Sequence, residues 1–169
     1  MLGDPRIVRW SLTEPCPPSP YPSRLQSAPH DLGSPGFHSR IKPRLDAALL
    51  AMSDTAGLAS GVRAACETRR GAWIRGCDWA RWDTDTTVAI AVALGPRVVA
   101  AILGAFAEDY WGSAGGMPDL LLWRSGEARW IEVKGPGDAL RGSQRAWLST
   151  LAHAGAAVEV VHVAAVSPN

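Results

Sequence analysis

Two short apolar segments that both carry charged side chains constrain the fold of this chain more than any other feature. They cover residues 116–123 and 130–138, and the turn-forming sequence Arg-Ser-Gly-Glu separates them at 124–127. Short apolar runs on either side of such a turn are typical of paired strands. The pattern predicts two neighbouring buried strands joined by a tight turn.

Three ionisable residues interrupt these predicted strands. Asp119 stands near the start of the first, and Glu132 and Lys134 lie two positions apart in the second. Because side chains alternate along a strand, Glu132 and Lys134 share one face. A buried charge without a partner costs several kcal/mol, so the charges require either ion pairs or a metal ion. A salt bridge at the edge of a strand is the simpler alternative.

The chemistry of these residues favours the metal. Two carboxylates supply the hard oxygen ligands that Mg²⁺ prefers, and they leave coordination positions open for water and a phosphate. The ammonium group of Lys134 would sit beside them, where it can hold an attacking water and offset charge that develops on a phosphoryl group. We therefore interpret Asp119, Glu132 and Lys134 as a candidate hydrolytic site.

The order Pro-Asp, a spacer and Glu-x-Lys resembles the signature of the PD-(D/E)xK nuclease superfamily. Longer segments are similar to the VRR-NUC domain, and most similar to the C-terminal part of Fanconi-associated nucleases. They are GMPDLLLW at 116–123, EVKGPGD at 132–138, QRAWL at 144–148 and GAAVEV at 155–160. Weaker similarity at 77–81, 94–99 and 107–110 extends the resemblance over most of the chain.

This resemblance implies an α/β fold with a mixed, restriction-endonuclease-like sheet flanked by helices, and an N-terminal helical portion. It also implies roles for single residues. Asp119, Glu132 and the Val133 carbonyl would bind Mg²⁺ or Mn²⁺, Lys134 would assist the attacking water, and Gln144 would help to orient it. The position of Gln144 beside a predicted inner helix face agrees, because a buried amide needs hydrogen-bond partners.

The function implied by the resemblance is a divalent-metal-dependent, structure-specific DNA nuclease. Members of the family act as 5′ flap endonucleases and 5′ exonucleases that leave a 5′-phosphate and a 3′-hydroxyl. Branched or flapped DNA, interstrand-crosslink repair, repair-protein partners and a nuclear location follow as expectations. No membrane association is expected, since neither apolar half of residues 86–106 is as long as a membrane span.

One departure from the family leaves two alternatives open. Family members contribute a further metal-binding glutamate from a helical segment before the matching part, together with upstream DNA-binding modules. Residues 1–36 contain Asp4, Glu14 and Asp31, but none has a comparable helical context. The chain is then either a catalytically weak, truncated module that binds DNA or a partner, or a nuclease that takes its missing acid from a second subunit.

Three parts of the chain are expected. Residues 1–36 form a Pro/Ser-rich arm without stable structure, 37–96 a helical lead-in and 97–166 the VRR-NUC nuclease core. Within the last two parts, helices are predicted from Phe37 and over 58–67, and a pair of helices broken at Gly95 over 86–106. Asp138 is expected to cap a helix that reaches about Ala154, and 158–166 form a last buried strand.

Charge and cysteine content add little. A formal net charge of +1 does not exclude a polyanionic partner, because a local basic patch can lie on a neutral protein. The basic residues Arg40, Lys42 and Arg44 either contact phosphates or form a solvated turn. The Trp/Arg-rich residues 69–82 either stack on bases or pack internally. Three cysteines, Cys16, Cys66 and Cys77, fit neither a disulfide framework nor a zinc site, which favours a reducing intracellular compartment.

Overall fold

The computed structural model describes residues 28–29, 31–70 and 83–164. Five helices come first in these ranges, and three strands with one intervening helix follow. The elements are α1 (Pro35–Ala51), α2 (Thr55–Arg69), α3 (Thr84–Leu94), α4 (Pro96–Glu108), α5 (Tyr110–Ser113), β1 (Leu120–Arg124), β2 (Glu127–Lys134), α6 (Gly142–His153) and β3 (Ala157–His162).

The described strands form one mixed sheet in the order β1-β2-β3. β1 pairs antiparallel with β2, and β3 pairs parallel with β2. A parallel neighbour requires a crossover, which α6 provides between β2 and β3. The predicted α/β class with a mixed sheet is confirmed.

The turn between β1 and β2 lies where the sequence predicts it. Arg124 pairs with Glu127, so Ser125 and Gly126 form a two-residue loop. Their φ angles are 52° and 83°, the positive values that the favoured two-residue hairpin turns require. The turn fixes the register that brings the start of β1 to the end of β2.

The main core lies between the sheet and helices α4 and α6. Val98, Trp130, Trp147 and Leu151 form its buried centre. The indole nitrogen of Trp147 donates a hydrogen bond to the Ser113 carbonyl at 2.8 Å, so α6 is tied to α5 as well as to the sheet. This packing holds the first turn of α6 over the end of β2.

A second, smaller core joins the N-terminal helices to the rest. Phe37 and Ile41 of α1 bury their side chains with Ala107 of α4. Asp31 to Ser34 form a turn, and α1 begins at Pro35, two residues inside the expected arm. The rest of that arm, apart from residues 28–29, lies outside the described ranges, and the domain boundaries stay a prediction.

Of the three cysteines, Cys66 is free and buried. Cys16 and Cys77 lie outside the described ranges, as does the whole of residues 71–82.

The two apolar helices break where the sequence indicates. Gly95, with φ 81°, ends α3, and Pro96 begins α4. Among the described residues no single helix has the length and apolar character of a membrane span. α3 and α4 meet those criteria only when they are taken together, and they are bent by 100° at the break.

The prediction that both outer strands are buried is wrong. Leu120, Leu122 and Trp123 of β1 are 47%, 52% and 42% exposed. β1 and β3 lie at the two edges of the described sheet, and every residue of β3 is exposed or only partly buried. Only β2, which has a strand on each side, buries ionisable side chains.

The capping role expected for Asp138 is also wrong. Its Oδ2 accepts a hydrogen bond from the Gly135 N–H at 3.1 Å and thereby closes the turn at 135–138. The helix begins only at Gly142, with Arg141 at the N-cap position. Asp138 therefore lies too far from the helix to reach its free N–H groups.

Candidate active site

Asp119 lies directly before β1, at the position opposite Glu132. The antiparallel register pairs Leu120 with Ile131, and one further step along both strands brings Asp119 opposite Glu132. Residues in directly opposed positions share a face, with Cβ atoms about 4.5–5.5 Å apart. Asp119 Oδ2 also accepts the Val133 N–H at 2.9 Å, which holds this exposed carboxylate at the end of β2.

Glu132 and Lys134 form a buried ion pair on the face of β2 that meets α6. Lys134 Nζ lies 2.7 Å from Glu132 Oε1, and the side chains are only 8% and 1% exposed. The prediction that strand alternation places both on one face is confirmed. Burial in the sheet makes this pair more than a solvated salt bridge at a strand edge.

Gln144 completes this buried cluster from the first turn of α6. Its Nε2 donates to Glu132 Oε1. Its Oε1 accepts from Lys134 Nζ at 3.0 Å and from the Arg141 N–H at 2.9 Å. The carbonyl oxygen thus faces two donors and the amide nitrogen faces a carboxylate. Exchanging the two atoms would break these hydrogen bonds, so only one orientation of the amide fits. The structure thus brings Gln144 together with Glu132 and Lys134.

One carboxylate oxygen in the cluster has no partner. Glu132 Oε2 is buried and accepts no hydrogen bond from any described residue. An unsatisfied buried acceptor is costly, and a cation is a partner that would satisfy it. Asp119 on the same face would add a second hard oxygen donor, so the residues present fit a divalent ion.

The described residues supply only part of a full ligand set. No group of three or more His, Cys, Asp or Glu side chains among them is placed to hold a metal ion. Asp119 and Glu132 are therefore joined by no third acid from these ranges. A bound ion would keep positions for water and phosphate oxygens.

Gly116 was missed as a site-forming residue, although it belongs to the motif that begins the first predicted strand. Its φ is +126°, and a Cβ atom there would lie 2.8 Å from the backbone carbon of Ser143. Only glycine permits both this conformation and this contact. The loop before β1 can therefore touch the first turn of α6, one residue before Gln144.

The basic residues of α1 do not join the site. The Arg40 Nε donates to Asp31 at 2.7 Å, and Lys42 pairs with Asp46 at 2.7 Å. Both cations have acidic partners within their own segment, and α1 packs against α2 and α4 rather than against the sheet. The solvated alternative is favoured for this cluster.

Three further ionisable residues close to the site in sequence or register have other positions or partners. Asp109 caps α5 by accepting the Gly112 N–H at 2.9 Å, and Glu108 is the exposed last residue of α4. His162 is exposed at the end of β3, in register with Lys134. Its ring makes no hydrogen bond to the described residues.

Comparison with known proteins matches the part of the chain that contains these residues. The model of the VRR-NUC domain matches residues 56–165. The Fanconi-associated nuclease 1 homolog of Oryza sativa subsp. japonica is 34% identical over an alignment of 168 residues, which covers 95% of this chain and 17% of that protein. Human Fanconi-associated nuclease 1 is 32% identical over an alignment of 157 residues, which covers 88% of this chain and 15% of that protein. The chain spans less than one fifth of the length of either relative.

A solved structure supports the fold. The crystal structure of paFAN1 bound to 2nt 5′flap DNA with gap superposes with a TM-score of 0.73 at 26% identity, over 86% of this chain and 27% of that one. The expected restriction-endonuclease-like fold and the resemblance noted from the sequence are both confirmed.

Proposed function

This chain belongs to the VRR-NUC domain family, and from that premise we propose that it is the catalytic module of a divalent-metal-dependent nuclease that hydrolyses phosphodiester bonds in flapped DNA. The observation that carries the proposal is the orphaned, buried Oε2 of Glu132, on the face of the sheet that also presents Asp119. A fold alone does not specify an activity, so the proposal rests on these side chains.

Asp119, Glu132 and the Val133 carbonyl are the groups that would hold Mg²⁺ or Mn²⁺. Val133 is next to both acids: its N–H donates a hydrogen bond to Asp119, and it directly follows Glu132 in β2. When bound, the ion supplies Lewis-acid polarisation of the phosphoryl group and a more acidic attacking water. All three donors are hard oxygens, which suits either ion.

Lys134 has a hydrogen-bond donor left for the reaction. A lysine ammonium carries three N–H groups, and the contacts to Glu132 Oε1 and Gln144 Oε1 use two. The third is free to hold the attacking water or a non-bridging phosphate oxygen. Because the ammonium is buried and held on two sides, it stabilises developing negative charge without first reorganising.

Gln144 also has a hydrogen-bond donor left for the reaction. Its amide nitrogen carries two hydrogens, and one is directed at Glu132. The second can orient the water for attack on phosphorus. The water oxygen then bonds to phosphorus and gives up one proton, the bond from phosphorus to the 3′ oxygen breaks, and that oxygen takes up a proton, so that the elements of water are divided between the two products. The products are a 5′-phosphate and a 3′-hydroxyl.

The substrate and setting are part of the proposal. paFAN1 is named in complex with 5′-flap DNA, and the relatives are named Fanconi-associated nucleases. These similarities support flapped DNA as the substrate of 5′ flap endonuclease and 5′ exonuclease action. A role in interstrand-crosslink repair, repair-protein partners and a nuclear location are proposed on the same ground.

A second candidate is a module that binds DNA without cutting it. It is favoured by one observation: among the described residues, no third His, Cys, Asp or Glu side chain joins Asp119 and Glu132 in a group that could hold a metal ion. A nuclease that borrows an acid from a second subunit agrees with the same observation. Cleavage assays separate the three functions.

The test uses end-labelled duplex, splayed and 5′-flap DNA with Mg²⁺, Mn²⁺ or EDTA. We expect cleavage of the flap with metal and none in EDTA. Asp119→Asn keeps an oxygen for the Val133 N–H but removes the charge, and the rate should fall by at least about 100-fold, as for loss of one electrostatic stabiliser. The matched control is Glu127→Gln, at the exposed hairpin turn, which should cut like wild type.

The other outcomes are equally informative. An unchanged rate for Asp119→Asn would show that the metal site is wrongly assigned. Binding of flap DNA without cleavage in either metal would favour the non-cutting module. A rate per molecule that rises with protein concentration would favour a second subunit as the source of the third acid.

A further inference from the structure

The first turn of α6 places two exposed arginines beside the candidate active site. Arg141 is the N-cap residue, with extended backbone dihedrals (φ −75°, ψ 162°), and Arg145 lies four positions later in the first turn. Between them in sequence, Gln144 points inward to Glu132 and Lys134. The two arginines therefore precede and follow, in the same turn, the glutamine that contacts the buried ion pair.

The backbone of Arg141 lies close to the site. The Arg141 N–H lies 2.9 Å from Gln144 Oε1, which lies 3.0 Å from Lys134 Nζ. That ammonium is in turn 2.7 Å from Glu132. The backbone of Arg141 is thus separated from the buried ion pair by a single side-chain amide.

Neither guanidinium has a partner among the described residues, whereas several other cations do. Arg63 pairs with Asp85 and Arg129 with Glu159, but no hydrogen bond or ion pair joins the Arg141 or Arg145 side chain to residues 28–29, 31–70 or 83–164. Asp138, the acid closest in sequence to Arg141, binds the Gly135 N–H instead.

Such a placement has an electrostatic cost. Like charges four residues apart on a helix repel each other slightly, and here no acid of the same turn offsets them. Both side chains are solvent exposed, so burial and packing do not account for them either. An anionic partner bound across this turn would.

We propose that Arg141 and Arg145 bind two phosphates of the DNA backbone next to the scissile one. The proposal rests on the function proposed above and adds the substrate contact to that site. A guanidinium binds phosphate oxygens in a bidentate manner, and contacts to phosphates position a nucleic acid without reading its sequence. The two arginines thus set the register of the strand over Glu132 and Lys134.

The test compares DNA binding by three double variants of the full chain, measured by fluorescence anisotropy with labelled 5′-flap DNA in EDTA at several salt concentrations. In Arg141→Gln/Arg145→Gln, binding should weaken about tenfold or more, because charged hydrogen bonds are removed. The slope of log K against log salt should become shallower by about 0.9 for each phosphate that the variant no longer neutralises. Arg141→Lys/Arg145→Lys keeps both charges and should keep most of the slope.

A matched control removes the same charge elsewhere. Arg97→Gln/Arg124→Gln changes two exposed arginines that also lack an acidic partner among the described residues. Arg124 lies at the hairpin turn and Arg97 near Ser149 and His153, at the opposite end of α6. This variant should bind DNA with nearly wild-type affinity and slope. Thermal unfolding of all variants checks that each remains folded.

Three results would overturn the proposal: no binding of flap DNA by wild type, unchanged affinity and slope in the Arg141/Arg145 variant, or an equal loss in the control pair. Cleavage with Mn²⁺ is measured in parallel on wild type. If wild type binds DNA but does not cut it, the proposed nuclease function fails, while the binding comparison still decides the role of the arginines.

Discussion

The ammonium of Lys134 and the carboxylate of Glu132 lie 2.7 Å apart at a place where both side chains are almost completely buried. Removing two charges from water is costly, and an apolar pair of similar volume is often at least as stable. Stability alone therefore does not explain this pair. Its position beside Asp119 and Gln144 agrees with the proposed active site, in which both charges would have a role.

Removal of the ammonium should strongly destabilise the fold. Lys134→Met leaves the Glu132 carboxylate buried, with only the Gln144 amide as a partner. Breaking a buried pair in this way costs roughly 3–5 kcal/mol. Urea unfolding followed by circular dichroism would measure the loss.

The control is the double variant Glu132→Gln/Lys134→Met, which removes both charges. It should be more stable than Lys134→Met, because no unpaired charge remains in the sheet. If the single variant unfolds at the same urea concentration as wild type, the pair is not buried as the structure indicates.

Metal binding should raise the stability of the protein. An ion that binds only the folded state adds RT ln(1 + [L]/Kd), or about 2.7 kcal/mol at one hundred times Kd. With two carboxylates at the site, we expect stabilisation at millimolar Mg²⁺ and more readily with Mn²⁺. Thermal unfolding during titration of each metal measures it.

Asp119→Asn is the informative variant for this titration, since it removes one ligand charge and keeps an acceptor for the Val133 N–H. Its melting temperature should respond little to metal. Glu127→Gln loses the same charge at the hairpin turn and should respond like wild type. A rise of equal size in Asp119→Asn would show that the ion binds elsewhere.

Gln144→Ala should reduce both activity and stability. Removing one polar stabiliser slows catalysis by about 10- to 1,000-fold. Stability should fall as well, because the variant leaves Lys134, Glu132 and the Arg141 N–H each short of a partner. A cost of about 1–3 kcal/mol is expected for a buried group left unsatisfied.

Gln144→Glu separates the two effects. It keeps an oxygen for Lys134 and Arg141 but replaces the donor that faces Glu132 with a second carboxylate. Activity should fall in this variant, because a carboxylate in place of the amide donor is a like charge beside Glu132. Single-turnover cleavage at saturating protein measures the chemical step. Wild-type rates in both variants would leave Gln144 with a structural role only.

Local rules predicted the parts of this site that depend on neighbours in sequence. The turn at Ser125 and Gly126 and the shared face of Glu132 and Lys134 follow from turn chemistry and strand alternation. The break at Gly95 is of the same kind. Each involves residues only a few positions apart, so the sequence contains the whole cause.

Contacts between distant segments could not be predicted in the same way. The opposition of Asp119 and Glu132 depends on the register of β1, and the three partners of Gln144 depend on where α6 crosses the sheet. Exposure of Leu122 follows from β1 lying at the edge of the described sheet, which strand composition does not reveal. The family resemblance, not periodicity, pointed to Gln144.

Acid should weaken the start of α3. Asp83 accepts the Thr86 N–H at 2.8 Å, and hydrogen bonds from the Thr86 side chain and backbone hold the pKa of the Asp83 carboxyl below its ordinary value of 3.8. A lowered pKa in the folded state means that the ionised Asp83 carboxylate stabilises the protein at pH values above that ordinary pKa. The contribution is lost as the pH falls through the lower, folded pKa.

Asp83→Ala removes this cap, and its melting temperature should lie below that of wild type at pH 7. The difference should shrink as the pH falls below about 3.8. Thermal unfolding of both proteins between pH 7 and pH 2.5 measures the difference directly. A gap that stays constant over this range would mean that the charge of Asp83 plays no part in capping α3.

The position of α6, and with it the whole site, should depend on Gly116. A Cβ atom there would meet the Ser143 backbone at 2.8 Å, and φ is +126°. Gly116→Ala should therefore cost about 1–3 kcal/mol in strain and push the first turn of α6 away from β2, which lengthens the Gln144 contacts to Glu132 and Lys134. Because the amide would then hold both groups loosely, kcat should fall by about tenfold or more while KM for flap DNA changes little.

Gly115→Ala is the matched control: a Cβ atom on Gly115 meets nothing within 4 Å, and its φ is not in the left-handed region. That variant should keep wild-type kcat and melting temperature. If Gly116→Ala lowers the melting temperature but keeps wild-type kcat, the glycine supports the fold without positioning Gln144.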